Sequence, residues 1–224
     1  MELSQREKTI LNIITKEYIK TAEPIGSSLV AEKYGLGISS ATIRNDMASL
    51  EEQGYIIQPH TSAGRVPTEK AYLLYLSEIK EKSLNTVDLK VLDKAWQESE
   101  RAVAKTIAAL ANNAVFWAFH KNDLYYTGFS NLLSQPEFKQ TNLIYDISVV
   151  IDRMDEIIFE IFEKLENGTQ ILVGANNPFS PACSAVLVKY RDKRGSGLFG
   201  IIGPMRQDYA KTTALVNYLK DKLK

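Results

Sequence analysis

"SSATIRNDMASLEEQGYI", residues 39–56, reads as a helix with two unlike faces. Ser39 carries the hydroxyl that an N-cap needs, and Ile43, Met47 and Leu50 follow at i, i+4 and i+7, the spacing of one buried stripe. At about 100° per residue the opposite face is centred on Ala41, Asn45, Ala48 and Glu52, with Thr42 and Ser49 beside it and Arg44 on a flank. Surface helices ordinarily use long Lys and Glu side chains there, whereas this one uses short ones. Short side chains let a helix backbone approach the floor of a DNA major groove. Arg and Asn carry donors and acceptors that match guanine and adenine edges. A surface helix that merely uses Ala and Ser has the same pattern, so the neighbouring sequence decides between the two.

"SQRE" (Ser4–Glu7) has the form of a capping box, in which a hydroxyl and a carboxylate three residues on satisfy free amides at a helix start. Ile10, Leu11, Ile14 and Tyr18 then predict a first helix of about 15 residues. "SSLVAEKYG" (27–35) predicts a short second helix stopped by Gly35, with Leu29, Val30 and Tyr34 facing inward. A tight "YGLGIS" leads into the opening stretch, which completes a helix-turn-helix. Next, "GYIIQPHTSAGRVPT" (54–68) places a helix stop at Gly54, an extended Tyr55 to Gln58, a polar tip and a second extended piece at "RVP", the plan of a β-hairpin wing. His60, Thr61 and Ser62 at the tip, the unobstructed backbone at Gly64 and the Arg65 guanidinium suit phosphate oxygens. Turn chemistry alone also favours such residues. The candidate DNA-contacting set is therefore Ser40, Ala41, Thr42, Arg44, Asn45, Ala48, Ser49, His60, Thr61, Ser62, Gly64 and Arg65.

Charge gives this reading little help. The 224 residues carry a formal net charge of zero, and residues 1–80 hold nine Lys and Arg against ten Asp and Glu, so any DNA surface must arise from local arrangement. No run of about 18 apolar residues is present and the start is charged, so the chain is expected to be cytoplasmic, with no membrane contact. The single Cys183 excludes an internal disulfide, and with only His60 and His120 beside it no metal site or cofactor is expected.

Past Thr68, an expected N-cap, Tyr72, Leu76 and Ile79 continue a helix away from the wing. "KEKSLNTVD" is polar and sets the predicted boundaries: a DNA-binding domain over 1–80, a linker over 81–87 and a regulatory domain over 88–224. Leu89, Leu92, Trp96, Val103, Ile107 and Leu110 predict one helix of about 25 residues. Strands are expected at "AVFWAF" (114–119), "LYYTGF" (124–129), "TQILVGA" (169–175), "AVLVKY" (185–190) and "LFGIIGP" (198–204), with helices over 142–166 and 208–223. An antiparallel sheet with helices packed beside it makes the second domain α+β. Along 142–166, Leu143, Ile147, Val150, Met154, Ile157, Ile161 and Leu165 alternate spacings of three and four, the seam of a helix pair. This makes Ile147, Met154 and Ile161 candidate dimerisation residues, the alternative being that the seam packs on its own sheet. Catalysis at Cys183 needs a base such as His120, and nothing in the sequence brings the two together. Lys189, Arg191, Lys193 and Arg194 read as a solvated turn, or as a basic patch for DNA flanks or a protein.

"ATIRNDMASLEEQGYI", "HTSAGRVPT" and "YLLYL" in succession resemble the N-terminal domain of the heat-inducible transcription repressor HrcA family. "GFSNLLSQPEF" (128–138) and "GIIGPMRQDYAKTTALVNYL" (200–219) are similar to motifs in its later part. The resemblance implies a winged helix-turn-helix followed by a GAF-like domain, in a non-enzymatic homodimer that represses chaperone genes through an inverted-repeat operator. It also implies a chaperonin partner, and makes Arg44 and Asn45 the hydrogen-bonding members of the reading helix. In one respect the sequence departs from the family: "HKND" (120–123) alone stands where members carry a long inserted dimerisation region. The competing reading is a ligand- or protein-binding scaffold with a vestigial winged module.

Overall fold

A computed structural model describes residues 3–79, 82–120, 123–139, 141–193 and 195–223. The chain divides into two compact units, Met1–Ile79 and Lys80–Lys224. The expected linker begins at Glu81, outside the described residues, and its last two residues, Thr86 and Val87, already belong to a helix.

The first unit comprises α1 (Gln5–Thr21), α2 (Ser27–Tyr34), α3 (Ser40–Glu52), a hairpin of β1 (Ile56–Ile57) and β2 (Val66–Pro67), and α4 (Glu69–Glu78). The capping box closes on both sides: the Ser4 hydroxyl accepts from the Glu7 amide and the Glu7 carboxylate accepts from the Ser4 amide. Gly35 ends α2 in the left-handed region at φ 53°, where a side chain is strained. Ile10, Ile14, Val30, Ile43, Leu50 and Ile56 are fully buried in one shared core. Leu29, expected to face inward, is instead 37% exposed. The eight-residue α2 is too short to turn more than one narrow stripe inward, and Val30 occupies it. Thr68 stands at the N-cap of α4, but its hydroxyl donates to the carbonyls of Gly54 and Tyr55 and so ties the helix start to the end of α3.

The second unit is built on a five-stranded antiparallel sheet of order β4-β3-β7-β6-β5, with β3 (Ala114–His120), β4 (Asp123–Thr127), β5 (Gly168–Val173), β6 (Cys183–Asp192) and β7 (Gly195–Pro204). All five expected strands are present. Strand alternation gives the sheet two apolar faces. Phe116, Ala185, Leu187 and Ile202 point to one face, covered by α7 (Phe129–Leu133), α8 (Thr141–Asp152) and α9 (Met154–Lys164). The other face packs against α6 (Glu100–Ala111) and α10 (Tyr209–Lys222), and there the buried Trp117 indole donates to the Tyr190 hydroxyl at 2.7 Å. Gly200 lacks a side chain where any Cβ would collide with the Phe116 ring and Leu187.

Two long helices expected from periodicity are each broken. Residues 89–110 form α5 (Thr86–Glu98) and α6, which fold onto one another. Ser99 between them is extended, and its hydroxyl caps α6 by accepting from the Ala102 amide. Residues 142–166 form α8 and α9, separated at Arg153, which leaves helical geometry at φ −109° and ψ 19°. The break lets both helices press on the sheet, and this corrects the dimer seam. Ile147, Met154 and Ile161 are 1%, 1% and 7% exposed and belong to the unit's own core, so they cannot form a contact between copies. What α8 and α9 expose instead is Ile144, Tyr145, Val149 and Phe159.

Candidate nucleic-acid interface

Within the first unit α3 has three distinct sides. Ile43, Met47 and Leu50 face the core, while Ala41, Arg44, Asn45 and Ala48 are exposed and Ser40 and Thr42 are half-buried. The outward centre is therefore the short stripe of Ala41, Asn45 and Ala48, and Ser39 caps the helix by accepting from the Thr42 amide. Glu52, also exposed, is the one long side chain on this stripe and stands at its C-terminal end.

The side of α3 toward α1 is consumed by fastening. Asp46 is 7% exposed and takes two hydrogen bonds of 2.8 Å from the Arg6 guanidinium. Ser49, expected among the DNA-contacting residues, donates to the Glu7 carboxylate at 2.7 Å and accepts from the Gln53 amide. That bond from Ser49, with the Ser4 bonds, holds the Glu7 carboxyl below its ordinary range. Ser49 thus positions the helix and is not offered to a groove. Glu17, 1% exposed, performs a similar task for α2: Lys33, Tyr34 and Lys20 all donate to it, and the first two most strongly pull its carboxyl down to about 2.

The other side of α3 carries the wing. Glu51 accepts from the Gln58 amide at 3.0 Å and pairs with the Arg65 guanidinium at 2.9 Å, gripping both strands of the hairpin. The Gln58 side chain in turn donates to the carbonyls of Thr61 and Ala63. Arg65 also exchanges backbone hydrogen bonds with Ile25. At 18% side-chain exposure Arg65 pairs with Glu51 and braces the wing, while its buried Nε donates to no group among the described residues. Gly64 is required for a similar reason: a Cβ there would lie 2.5 Å from the Ile25 carbonyl carbon, so the residue allows the wing to dock on the loop before α2. His60, Thr61 and Ser62 stand exposed at the tip. Between tip, α3 and the start of α2 lies a groove of about 390 Å³ lined by Ser27, Ser28, Arg44, Thr61, Ser62 and Arg65, among others.

Sequence reasoning missed Arg6, Asp46, Glu51 and Gln58. Asp46 had a visible signal: a carboxylate three residues from Ile43 and beside Met47 sits on the edge of the buried stripe, where it needs a cationic partner. The identity of that partner, forty residues away, had none.

In the second unit Cys183 is fully buried and burial pushes its thiol up to about 12, so it stays protonated at neutral pH and is inert as a nucleophile. The side chain of His120, its suggested base, lies outside the described residues, as does Arg194 of the basic turn.

A helix with short outward residues, a braced hairpin wing after it and an α+β sheet unit beyond define a winged helix-turn-helix protein of regulatory type. A DeoR-like helix-turn-helix domain model matches residues 29–68, and the HrcA protein C terminal domain model matches residues 62–213. The chain belongs to the HrcA family. It is 27% identical to the heat-inducible transcription repressor HrcA of Desulforudis audaxviator, over all of this chain and 97% of that one. That alignment runs to 335 positions against the 224 residues here, so the excess lies opposite gaps. With the heat-inducible transcription repressor HrcA of Clostridioides difficile the identity is 59% over 83 residues, 37% of this chain and 24% of that one. A crystal structure of a hypothetical protein superposes with a TM-score of 0.78 at 19% identity, covering 99% of this chain and 98% of that one, which supports the fold.

Proposed function

We propose that this chain is a sequence-specific DNA-binding transcriptional repressor of heat-shock chaperone genes, acting without enzymatic activity. Residues 1–80 form the DNA-binding part, and residues 88–224 are its regulatory and dimerisation part. The observation that carries the reading is the exposed stripe of Ala41, Asn45 and Ala48 on α3, held beside a hairpin whose tip offers His60, Thr61 and Ser62. The names of its relatives, heat-inducible transcription repressors, point to the same role.

One winged unit without surplus positive charge binds a half-site weakly, so the active species is a homodimer on an inverted-repeat operator, with half-sites one turn of DNA or a multiple apart. Its two-fold contact lies outside the buried seam of α8 and α9. A chaperonin is the partner that keeps the repressor active, and the protein works in the cytoplasm. Mass measurement in solution combined with titration of duplexes carrying a full inverted repeat, a half-site or random sequence tests this. Binding the full repeat at least tenfold more tightly than the half-site is expected. A chain that stays monomeric at micromolar concentration and does not distinguish the three duplexes overturns the mechanism.

A further inference from the structure

We infer that Arg44 grips a backbone phosphate in the groove between α3 and the wing tip, and does not read a base edge. The inference rests on the repressor reading above and deepens it. Counted along α3, Arg44 lies about 80° from the outward centre at Glu52, and Glu51, seven residues on, is only about 20° from Arg44. Glu51 is the residue that holds the wing, so Arg44 faces the hairpin and not the floor of a major groove occupied by α3. Ala41, Asn45 and Ala48 are closer to that floor.

The surroundings of Arg44 fit an anion. It lines the groove together with the hydroxyl-bearing residues Ser27, Ser28, Thr61 and Ser62. Arg65 lines it too, but its charge is met by Glu51. Among the described residues Arg44 has no acidic partner, which leaves it as the groove's unneutralised cation. A phosphate takes several donors at once from side chains of this kind, whereas a base edge presents two acceptors to one planar donor and would leave the hydroxyls unused. Sequence discrimination then falls to Asn45, and Arg44 fixes register.

The test uses the full chain and two duplexes, one of random sequence and one enriched from a random pool by the wild-type chain. Arg44→Ala is expected to weaken both duplexes by a similar factor and to reduce the slope of log affinity against log salt by about 0.9, one phosphate contact, with the affinity ratio unchanged. Arg44→Lys should restore the slope, because a phosphate accepts a point charge. Asn45→Ala should do the converse, lowering the ratio roughly tenfold or more at constant slope. A fall in the ratio at constant slope for Arg44→Ala overturns the assignment, and so does no change in either quantity. A wild-type chain that enriches no duplex from the pool and does not bind the random one at low salt overturns the repressor reading itself, and this outcome appears before any substitution is made.

Discussion

The two units solve the problem of holding helices in place by different means. The larger lays helices on both faces of a five-stranded sheet, and side chains such as Phe116, Ile147, Met154 and Ile202 fix them chiefly by apolar contact, with polar ties such as Tyr218 and Lys222 on Asp93 added at the rim. The smaller has under eighty residues and short helices, a size at which a single core gives little stability. It adds carboxylates as pins: Asp46 on Arg6 ties α3 to α1, Glu17 on Lys33 and Tyr34 ties α2 to α1, and Glu51 ties the wing to α3. Apolar packing sets how firmly elements hold, while paired charges set how they are oriented.

The contrast can be broken most severely in the larger unit. Ile147→Glu places a carboxylate in a position that is 1% exposed, and should cost about 4 kcal/mol or more, enough to unfold the unit instead of separating copies. Trp96 and Trp117 both lie in this unit and are the only tryptophans, so chemical denaturation followed by their fluorescence reports on it directly. A folded Ile147→Glu chain that had become monomeric would restore the seam as an interface.

Acid should separate the two units more mildly. The Glu17 carboxyl is lowered when folded, from an ordinary 4.5 to about 2, chiefly by Lys33 and Tyr34. Its contribution is therefore fully present above about pH 4.5 and is lost as pH falls toward 2. Helical circular dichroism should decline through that window before tryptophan fluorescence changes. Simultaneous loss of both signals would show that the pins do not govern the smaller unit. The least effect is expected from Asp46→Ala, which removes one pin and leaves Arg6, itself half exposed, to water. A loss of about 2 kcal/mol in the smaller unit, measured by hydrogen exchange of α1 and α3, is the expected outcome, with exchange in the sheet unaltered.

Local chemistry is what the sequence displayed well. Ser4 and Ser39 announced helix starts, Gly35 a stop, and the hairpin after Gly54 followed from turn residues between two short extended pieces. The five strands were legible because apolar runs bounded by Gly, Pro and Asn are short and distinct. The breaks at Ser99 and Arg153 were not, since apolar periodicity continues across both; the first folds α5 back on α6 and the second lets α8 and α9 both press on the sheet. On α3, the exposure of Ala41, Asn45 and Ala48 was readable from helical angle alone. The engagement of Ser49 and Arg65 was not readable because their partners, Glu7 and Glu51, are set by tertiary folding; a serine or arginine on an outer face reads the same whether it is free or engaged.

The bracing of the wing also bears on the thermodynamics of association. Gln58 is held through its backbone by Glu51 and through its side chain to Thr61 and Ala63, while Arg65 is fixed at the far end by Glu51 and Ile25. Ordering a free loop costs about 1–2 kcal/mol of entropy per residue. For residues 58–65 folding has already met that cost, so docking on a partner carries little of it, and affinity follows the contacts made more closely than it would for a wing that froze on arrival.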